Sequence, residues 1–132
     1  MSDTGLRELS RLARQARRRA HAPYSRFKVG AALRTTTGEV VTGCNIENAT
    51  YGLTLCAERV AVVKAVSEGL KRFDAIAVVA DGKRLAAPCG PCRQILWEFC
   101  GDILVHMEDS KGRRETLRLS ALLPFPFDDK TL

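Results

Sequence analysis

Three cysteines and a glutamate are spaced in a way that strongly limits how this chain can fold. Cys56-Ala57-Glu58 opens one predicted helix, and Pro88-Cys89-Gly90-Pro91-Cys92 opens another. Between them, residues 73–80 form a continuous apolar run that predicts a buried strand. The positive dipole end and the free amide groups of a helix start favour thiolates, and a Cys-x-x-Cys turn suits a tetrahedral zinc ion. We therefore expect a fold in which both helix starts face one metal ion.

The cysteine pair taken alone leaves other kinds of site open. Cys-x-x-Cys also occurs as a redox pair, although thioredoxin-like motifs follow the first strand of a different element order. A closed structural zinc site would need a fourth ligand, either Cys44 or Cys100. Cys100 ends the helix that Cys92 opens, roughly 12 Å away at 1.5 Å per residue, and Cys44 is better explained as a small buried side chain at a strand end. We predict one Zn²⁺ per chain, held by Cys56, Cys89 and Cys92.

Glu58 gives the predicted zinc site a catalytic character. Three protein ligands leave a fourth position for water, and a neighbouring carboxylate can take the proton of that water and later deliver it to a leaving group. Three thiolates make the site formally negative, which weakens its ability to acidify water. Arg59 lies one helical turn from Cys56, so we expect its guanidinium to withdraw charge from the sulfurs.

The hydrophobic pattern predicts alternating helices and strands in a fold of the α/β class. An amphipathic first helix is followed by a loop at His21–Ser25 and then by a hairpin. The predicted elements after the first helix are strands 27–34 and 39–44, helix 55–69, strand 73–80, helix 93–100, strand 103–107 and a short edge strand 115–119. This order indicates a three-layer α/β/α sandwich around a mixed five-stranded sheet.

Composition bounds the size and the surroundings of the protein. With 132 residues, of which 45% are hydrophobic, we expect residues 1–132 to form one domain. No apolar stretch approaches the roughly 20 residues of a membrane span, and the N-terminus lacks the pattern of a secretory signal. Five unevenly spaced cysteines suit metal binding in a reducing compartment better than a disulfide framework, so we expect a cytoplasmic protein without a membrane partner.

A net charge of +6 raises the question of a nucleic-acid partner. Much of the excess lies on the first predicted helix, where Arg7, Arg11, Arg14 and Arg18 follow helical spacing. This arrangement is typical of a solvated polar face, and no aromatic residues interleave with the arginines to stack bases. Nucleic-acid binding is therefore not expected.

Longer stretches of the sequence resemble the small, homotetrameric, zinc-dependent cytidine deaminase family. The zinc signature itself matches, with Cys56 where some related deaminases have histidine. The matching segments are Ala22-Pro23-Tyr24-Ser25-x-Phe27-x-Val29-Gly30-Ala31-Ala32-Leu33, Thr42-Gly43-Cys44-Asn45-Ile46-Glu47-Asn48-Ala49, Tyr51-Gly52-Leu53, Cys56-Ala57-Glu58-Arg59, Pro88-Cys89-Gly90 and Cys92-Arg93-Gln94. The resemblance implies hydrolytic deamination of cytidine and 2′-deoxycytidine to uridine and 2′-deoxyuridine, with release of ammonia, in pyrimidine salvage. Pro91 departs from the family, which more often has a small residue there, and is expected to stiffen the turn.

The resemblance also implies how a pyrimidine nucleoside is held. Asn45 and Glu47 would bind the ribose hydroxyl groups, Phe27 would stack near the pyrimidine, and the Ala57 backbone amide would bind its carbonyl. Tyr51 is the fifth implied substrate contact. Without the resemblance, Phe27 and Tyr51 would be explained as packing aromatics.

A C-terminal segment resembles the part of the family that completes a neighbouring subunit's active site. It comprises Leu122-Leu123-Pro124 and a phenylalanine that is either Phe125 or Phe127. We favour Phe127, because it lies three residues beyond Pro124. The resemblance thereby implies a homotetramer with active sites between subunits.

Two other functions share parts of this pattern. A deaminase of another cytosine compound, such as blasticidin, or of a polynucleotide would have the same zinc signature and Glu58. A noncatalytic zinc module would use the basic helix for binding. The Asn45-x-Glu47 segment and the C-terminal segment favour a nucleoside, and 132 residues leave little space for strand-binding elements.

Overall fold

The computed structural model describes residues 3–132 and begins with an amphipathic helix, α1 (Asp3–Arg17). Leu9 and Ala13 of α1 are buried against the sheet, whereas its arginines lie toward solvent or pair with acidic side chains. Met1 and Ser2, which belong to the predicted domain and N-terminal segment, lie outside the described residues. No helix in the described part of the chain is both long and apolar enough to cross a membrane.

A mixed sheet of five strands forms the middle layer. The strands are β1 (Val29–Thr35), β2 (Val40–Cys44), β3 (Phe73–Ala80), β4 (Leu104–Glu108) and β5 (Arg114–Arg118). Their order is β2-β1-β3-β4-β5, and only the β3–β4 pair is parallel. The run 73–80, predicted as a buried strand, is the central β3, so the mixed five-stranded sheet is confirmed.

Helices cover both faces of this sheet. On one face, α1 packs on a small-residue surface that includes Ala32 and Ala77. On the other face lie α2 (Ala57–Ser67), α3 (Gly90–Cys100) and the short α4 (Leu119–Leu122), around a larger core. The predicted three-layer α/β/α sandwich is thus confirmed, and the two helices that begin at the cysteine motifs share one layer.

Two helix boundaries differ from the prediction in ways that matter for the site. Helix α2 begins at Ala57 rather than at residue 55, because Leu55 forms an antiparallel bridge with Ile46 and Cys56 becomes the N-cap. Helix α3 begins at Gly90 rather than at residue 93, because the chain after N-cap Cys89 already turns helically, with Pro91 in the first turn. Strand ends differ by at most two residues, and α4 and a 3-10 helix (Tyr51–Leu53) were not predicted.

Gly43 allows β2 and α2 to approach closely. A Cβ atom at this position would lie 2.6 Å from both Ala57 O and Ala61 N. Gly43→Ala is therefore expected to push α2 away and lower the free energy of unfolding by about 2 kcal/mol, the range for overpacking. Chemical denaturation would measure this loss, with Gly52→Ala as control because a Cβ at Gly52 has no atom within 4 Å. Equal stability of both variants would contradict the expectation.

Candidate active site

The three predicted zinc ligands meet at the N-termini of α2 and α3. Cys56 and Cys89 are the two N-cap residues, and Cys92 lies in the first turn of α3. The Sγ atoms of Cys56 and Cys89 are 3.9 Å apart, those of Cys89 and Cys92 are 3.2 Å apart, and all three lie within 4.8 Å of one another. A tetrahedral zinc ion with Zn–S bonds of about 2.3 Å requires S···S distances of about 3.8 Å. The cluster therefore fits a zinc ion.

Electrostatics at the cluster favour a thiolate at Cys56. Hydrogen bonding from Cys92, and then from Cys89 and Arg59, lowers the pKa of the Cys56 thiol to about 5. The pKa of Cys92 is raised, first because its thiol donates to Cys56 and then because it is buried. Cys56 is thus disposed to bind a cation as a thiolate.

The two remaining cysteines lie away from the cluster. Cys44 ends β2 and is half-buried, and Cys100 ends α3 beside the larger core. Burial raises the pKa of Cys100 to about 12, which is a property of an inert structural thiol. Among residues 3–132, the group of potential metal ligands contains neither of them, so neither adds a fourth sulfur to the cluster.

Glu58 lies beside the cluster in the first turn of α2 and is only 5% exposed. Burial raises the pKa of its carboxyl group to about 7, and the charge of Cys56 acts in the same direction. A carboxyl group with a pKa near neutrality can both accept and return a proton, which is the property a general acid and base needs.

Arg59 lies where a guanidinium can act on the cysteine cluster. One of its terminal nitrogens donates to Thr54 O at 2.8 Å and lies 3.8 Å from Cys56 Sγ. Its Nε is buried and has no hydrogen-bond partner among residues 3–132. This contact with Cys56 has the geometry expected for withdrawing charge from the sulfurs.

A cavity of about 220 Å³ opens from the cysteine cluster between the loops at this end of the sheet. Four of the predicted substrate-binding residues line it: Phe27, Asn45, Glu47 and Ala57. Glu58 and Cys89 also contribute to its wall. The cavity therefore joins the predicted proton donor and metal ligands to the predicted nucleoside contacts.

Two predicted contacts lie outside this cavity. Tyr51 is 74% exposed and packs edge to face on Tyr24, with ring centroids 6.0 Å apart. It lines an adjoining cavity of about 420 Å³ that shares Ser25 and Glu47 with the first. Phe127 is 56% exposed and does not line its own chain's cavity, although its carbonyl accepts a hydrogen bond from Gln94. A role for Phe127 in a neighbouring subunit stays a prediction.

Sequence reasoning missed the part that Ser25 plays in the site. The backbone amides of Tyr24 and Ser25 and the Ser25 hydroxyl all donate to the Glu47 carboxylate, and the Phe27 amide donates to Ser25 Oγ at 3.0 Å. The hydroxyl contact is the main reason that the pKa of Glu47 is lowered. Between Ser25 and Phe27, Arg26 adopts a left-handed backbone with a φ of 59°. The sequence includes Ser25 in the matching segment 22–33 but gives no sign of its bond to Glu47.

The Asn45 side chain binds the backbone next to the start of β1. Its Oδ1 accepts the Val29 amide at 2.9 Å, and its Nδ2 donates to Phe27 O at 2.8 Å. Since a side-chain amide has a second proton and a second lone pair, these bonds leave it able to bind a hydroxyl group.

Asn45→Ala is expected to lower the free energy of unfolding by about 1 to 3 kcal/mol, because it leaves two backbone groups at the start of β1 without partners. Thermal denaturation monitored by circular dichroism would measure the loss. Asn48→Ala is a suitable control, since Asn48 is exposed and, within residues 3–132, its side chain bonds to the Thr50 amide alone. A stability equal to that of the control would show that the Asn45 contacts are not structural.

Comparison with known proteins agrees with this geometry. A family profile described as "Cytidine and deoxycytidylate deaminase zinc-binding region" matches residues 4–107. The chain belongs to this deaminase family. One zinc ion per chain fits the three-cysteine cluster of this family member.

Individual relatives cover most of this deaminase. A cytidine deaminase from Halalkalibacterium halodurans is 54% identical over 114 residues, which is 86% of each chain. The crystal structure of cytidine deaminase from Burkholderia pseudomallei has a TM-score of 0.89 and 44% identity, covering 96% of this chain and all of that one. Blasticidin-S deaminase from Bacillus cereus is 33% identical over 111 residues, or 78% of this chain and 79% of the relative.

Proposed function

We propose that this protein deaminates cytidine and 2′-deoxycytidine hydrolytically, giving the uracil nucleosides and ammonia. The observation that carries the proposal is the single cavity that connects Glu58 and the cysteine cluster with Phe27 and Glu47. One end of this cavity provides proton transfer beside a metal site, and the other end provides an aromatic ring and a carboxylate suited to a ribose. Such a reaction belongs to pyrimidine salvage, and cysteines free of disulfides suit a cytoplasmic enzyme.

Glu58 is the proposed proton shuttle. Zinc, when bound by Cys56, Cys89 and Cys92, supplies Lewis acidity that makes water a nucleophile at neutral pH. The Glu58 carboxylate takes a proton from the attacking water and passes it to ring nitrogen 3 of cytosine. The oxygen of that water bonds to ring carbon 4. Glu58 then takes the second proton from this oxygen and delivers it to the exocyclic amine, so that a carbonyl forms at ring carbon 4 as its bond to the amine breaks. Water and cytidine together account for every atom of uridine and ammonia.

The other cavity residues are proposed to hold the nucleoside. The Phe27 ring, 40% exposed at the cavity, offers a face to the pyrimidine. The Ala57 amide would donate to the pyrimidine carbonyl, and Asn45 and Glu47 would bind ribose hydroxyl groups. Glu47 is held in place for this task by the Tyr24–Ser25 backbone, so little ordering is needed on binding.

We propose that the domain, residues 1–132, assembles as a homotetramer. Large apolar side chains are exposed on and beside the layer of helices that contains the site, among them Leu53, Val63, Phe99 and Phe127. Burying such side chains against further copies of the chain would complete the cavity, which its own Phe127 does not line.

Light scattering is expected to give four times the chain mass of 14.5 kDa. Phe127→Ala should retain this mass and raise KM for cytidine, because a single exposed ring is removed from the cavity of a neighbour. Phe125→Ala is the matched control, since Phe125 is fully exposed in the described chain. A monomeric active enzyme would contradict both the tetramer and the role of Phe127.

The substrate assignment is tested by following ultraviolet absorbance with equal concentrations of several cytosine compounds. Cytidine and 2′-deoxycytidine should lose the cytosine absorbance, whereas a cytosine-containing oligonucleotide should not. Blasticidin S is the second candidate, because the 33% identical Bacillus cereus relative has that name. Turnover of blasticidin S or of the oligonucleotide without turnover of cytidine would overturn the proposal.

A further inference from the structure

We propose that Arg113 is a positioning residue for the pyrimidine site, acting through the loop of residues 82–87 on the ring of Phe27. This inference rests on the proposed function, because it takes Phe27 as the face against which the pyrimidine lies. Arg113 comes after β4 in the turn that leads into β5, outside the motifs that predicted the site. Its side chain reaches back to the loop that follows β3.

Arg113 binds that loop through both terminal nitrogens. One donates to Lys83 O and the other to Gly82 O, each at 2.7 Å. Its Nε donates to Asp109 Oδ2 at 2.6 Å. Residues 82–87 lie outside helices and strands, so two neighbouring carbonyl groups held by one rigid guanidinium fix the course of the loop at its beginning.

A buried carboxylate holds Arg113 in this orientation. The Asp109 side chain is 1% exposed, and its Oδ1 accepts the backbone amides of Lys111 at 2.9 Å and Arg113 at 3.0 Å. A second bond joins the two segments where Asp81 Oδ1 accepts the Ser110 amide at 2.8 Å. These bonds hold the turn between β4 and β5 in place and fix the orientation of the Arg113 guanidinium.

The loop held by Arg113 lies beside the ring of Phe27. A Cβ built on Gly82 would lie 3.4 Å from Cε1 and 4.0 Å from Cζ of Phe27, so Gly82 lies beside the edge of the ring with room for about one carbon atom between them. Further along, Ala86 and Ala87 form part of the cavity wall that also contains Phe27. A shift of this loop therefore changes both the support of the ring and the shape of the cavity.

The chemistry of the loop contact requires arginine in particular. Two carbonyl oxygens are bound at once while the third N–H bond goes to Asp109, an arrangement that the planar fork of a guanidinium provides. The ammonium group of a lysine cannot reproduce this spacing. Arg114, the next residue, is exposed and serves as the matched control because it makes none of these contacts.

Steady-state kinetics with cytidine provides the main test. Arg113→Ala is expected to raise KM about tenfold while kcat changes less than threefold, since Glu58 and the cysteine cluster keep their positions. Arg113→Lys is expected to lie between the wild type and Arg113→Ala, and Arg114→Ala should equal the wild type. Zinc content should stay at one per chain in every variant. If Arg113→Ala does not fold, Arg113→Lys carries the same test.

A double-mutant cycle with Phe27→Leu identifies the route of the effect. If Arg113 acts through the Phe27 ring, Arg113→Ala should raise KM less than threefold in the Phe27→Leu background. Limited trypsin digestion should also show faster cleavage after Lys83 and Arg84 in Arg113→Ala than in Arg114→Ala. An unchanged KM in a folded Arg113 variant, or a full tenfold rise in the Phe27→Leu background, would overturn the inference. Failure of the wild type to deaminate cytidine would instead overturn the proposed function, with the trypsin result still reporting on the loop.

Discussion

Replacing Glu58 by glutamine is expected to reduce kcat for cytidine by roughly three orders of magnitude, within the range for loss of general acid–base catalysis. Glutamine has nearly the same shape but cannot take a proton from water or return one to the amine. Zinc content should remain one per chain, because Glu58 is not among the three sulfur ligands. Ultraviolet absorbance and metal analysis on the same preparation would measure both quantities.

The stability of this variant distinguishes a chemical from a structural effect. Glu58 is buried and its carboxyl pKa is raised to about 7 by that burial, so a neutral glutamine should fold at least as stably as the wild type at neutral pH. Glu68→Gln, at the exposed C-terminal end of the same helix, is the matched control and should retain full activity. A Glu58→Gln enzyme within tenfold of the wild-type kcat would show that another group moves the proton.

Cys89→Ala is expected to abolish both zinc binding and deamination. Cys89 is exposed, so its removal costs little apolar packing and the effect comes from the loss of one of three metal ligands. Zinc per chain should fall from about one to near zero, and the melting temperature should fall to that of the wild type treated with a chelator. Metal analysis and thermal denaturation would measure these changes.

Cys100→Ala and Cys44→Ala are the matched controls for this result. Neither cysteine belongs to the cluster, so both variants should keep zinc and activity, with Cys100→Ala slightly less stable because its side chain packs beside the core. Full zinc occupancy in Cys89→Ala would contradict the three-thiolate site. Loss of zinc in Cys44→Ala or Cys100→Ala would instead indicate a closed site with a fourth cysteine.

Features that depend on a short stretch of sequence could be predicted from that stretch. The apolar run of β3 predicted a buried strand of a mixed sheet, and this fold was confirmed. The cysteine motifs at two helix starts predicted three zinc ligands, and the structure brings these three cysteines together. The start of α2 was wrong by two residues because a bridge between Leu55 and Ile46 overrides the helical tendency of Leu55. Local propensity contains no information about such a partner nine residues away in the chain.

The supporting contacts of the site were beyond the reach of sequence reasoning for the same reason. Ser25 donates hydrogen bonds to Glu47, which lies 22 residues further along the chain. Arg113 donates to the carbonyl group of Gly82, which lies 31 residues before it. Neither Ser25 nor Arg113 belongs to a metal-ligand or acid–base motif from which its role could be predicted. Metal ligands can be predicted from sequence because their chemistry restricts both residue type and spacing, whereas a positioning contact needs only a hydrogen-bond donor at a suitable distance.

The division of the metal ligands between two helix starts has a consequence for how the enzyme matures in the cell. Cys56 leaves the ribosome well before Cys89 and Cys92, because β3 and the loop after it lie between them in the sequence. A nascent chain that ends after β3 contains one of the three predicted zinc ligands. We therefore expect zinc to be bound only after Cys92 has been synthesised, and we expect a chain truncated after β3 not to retain it.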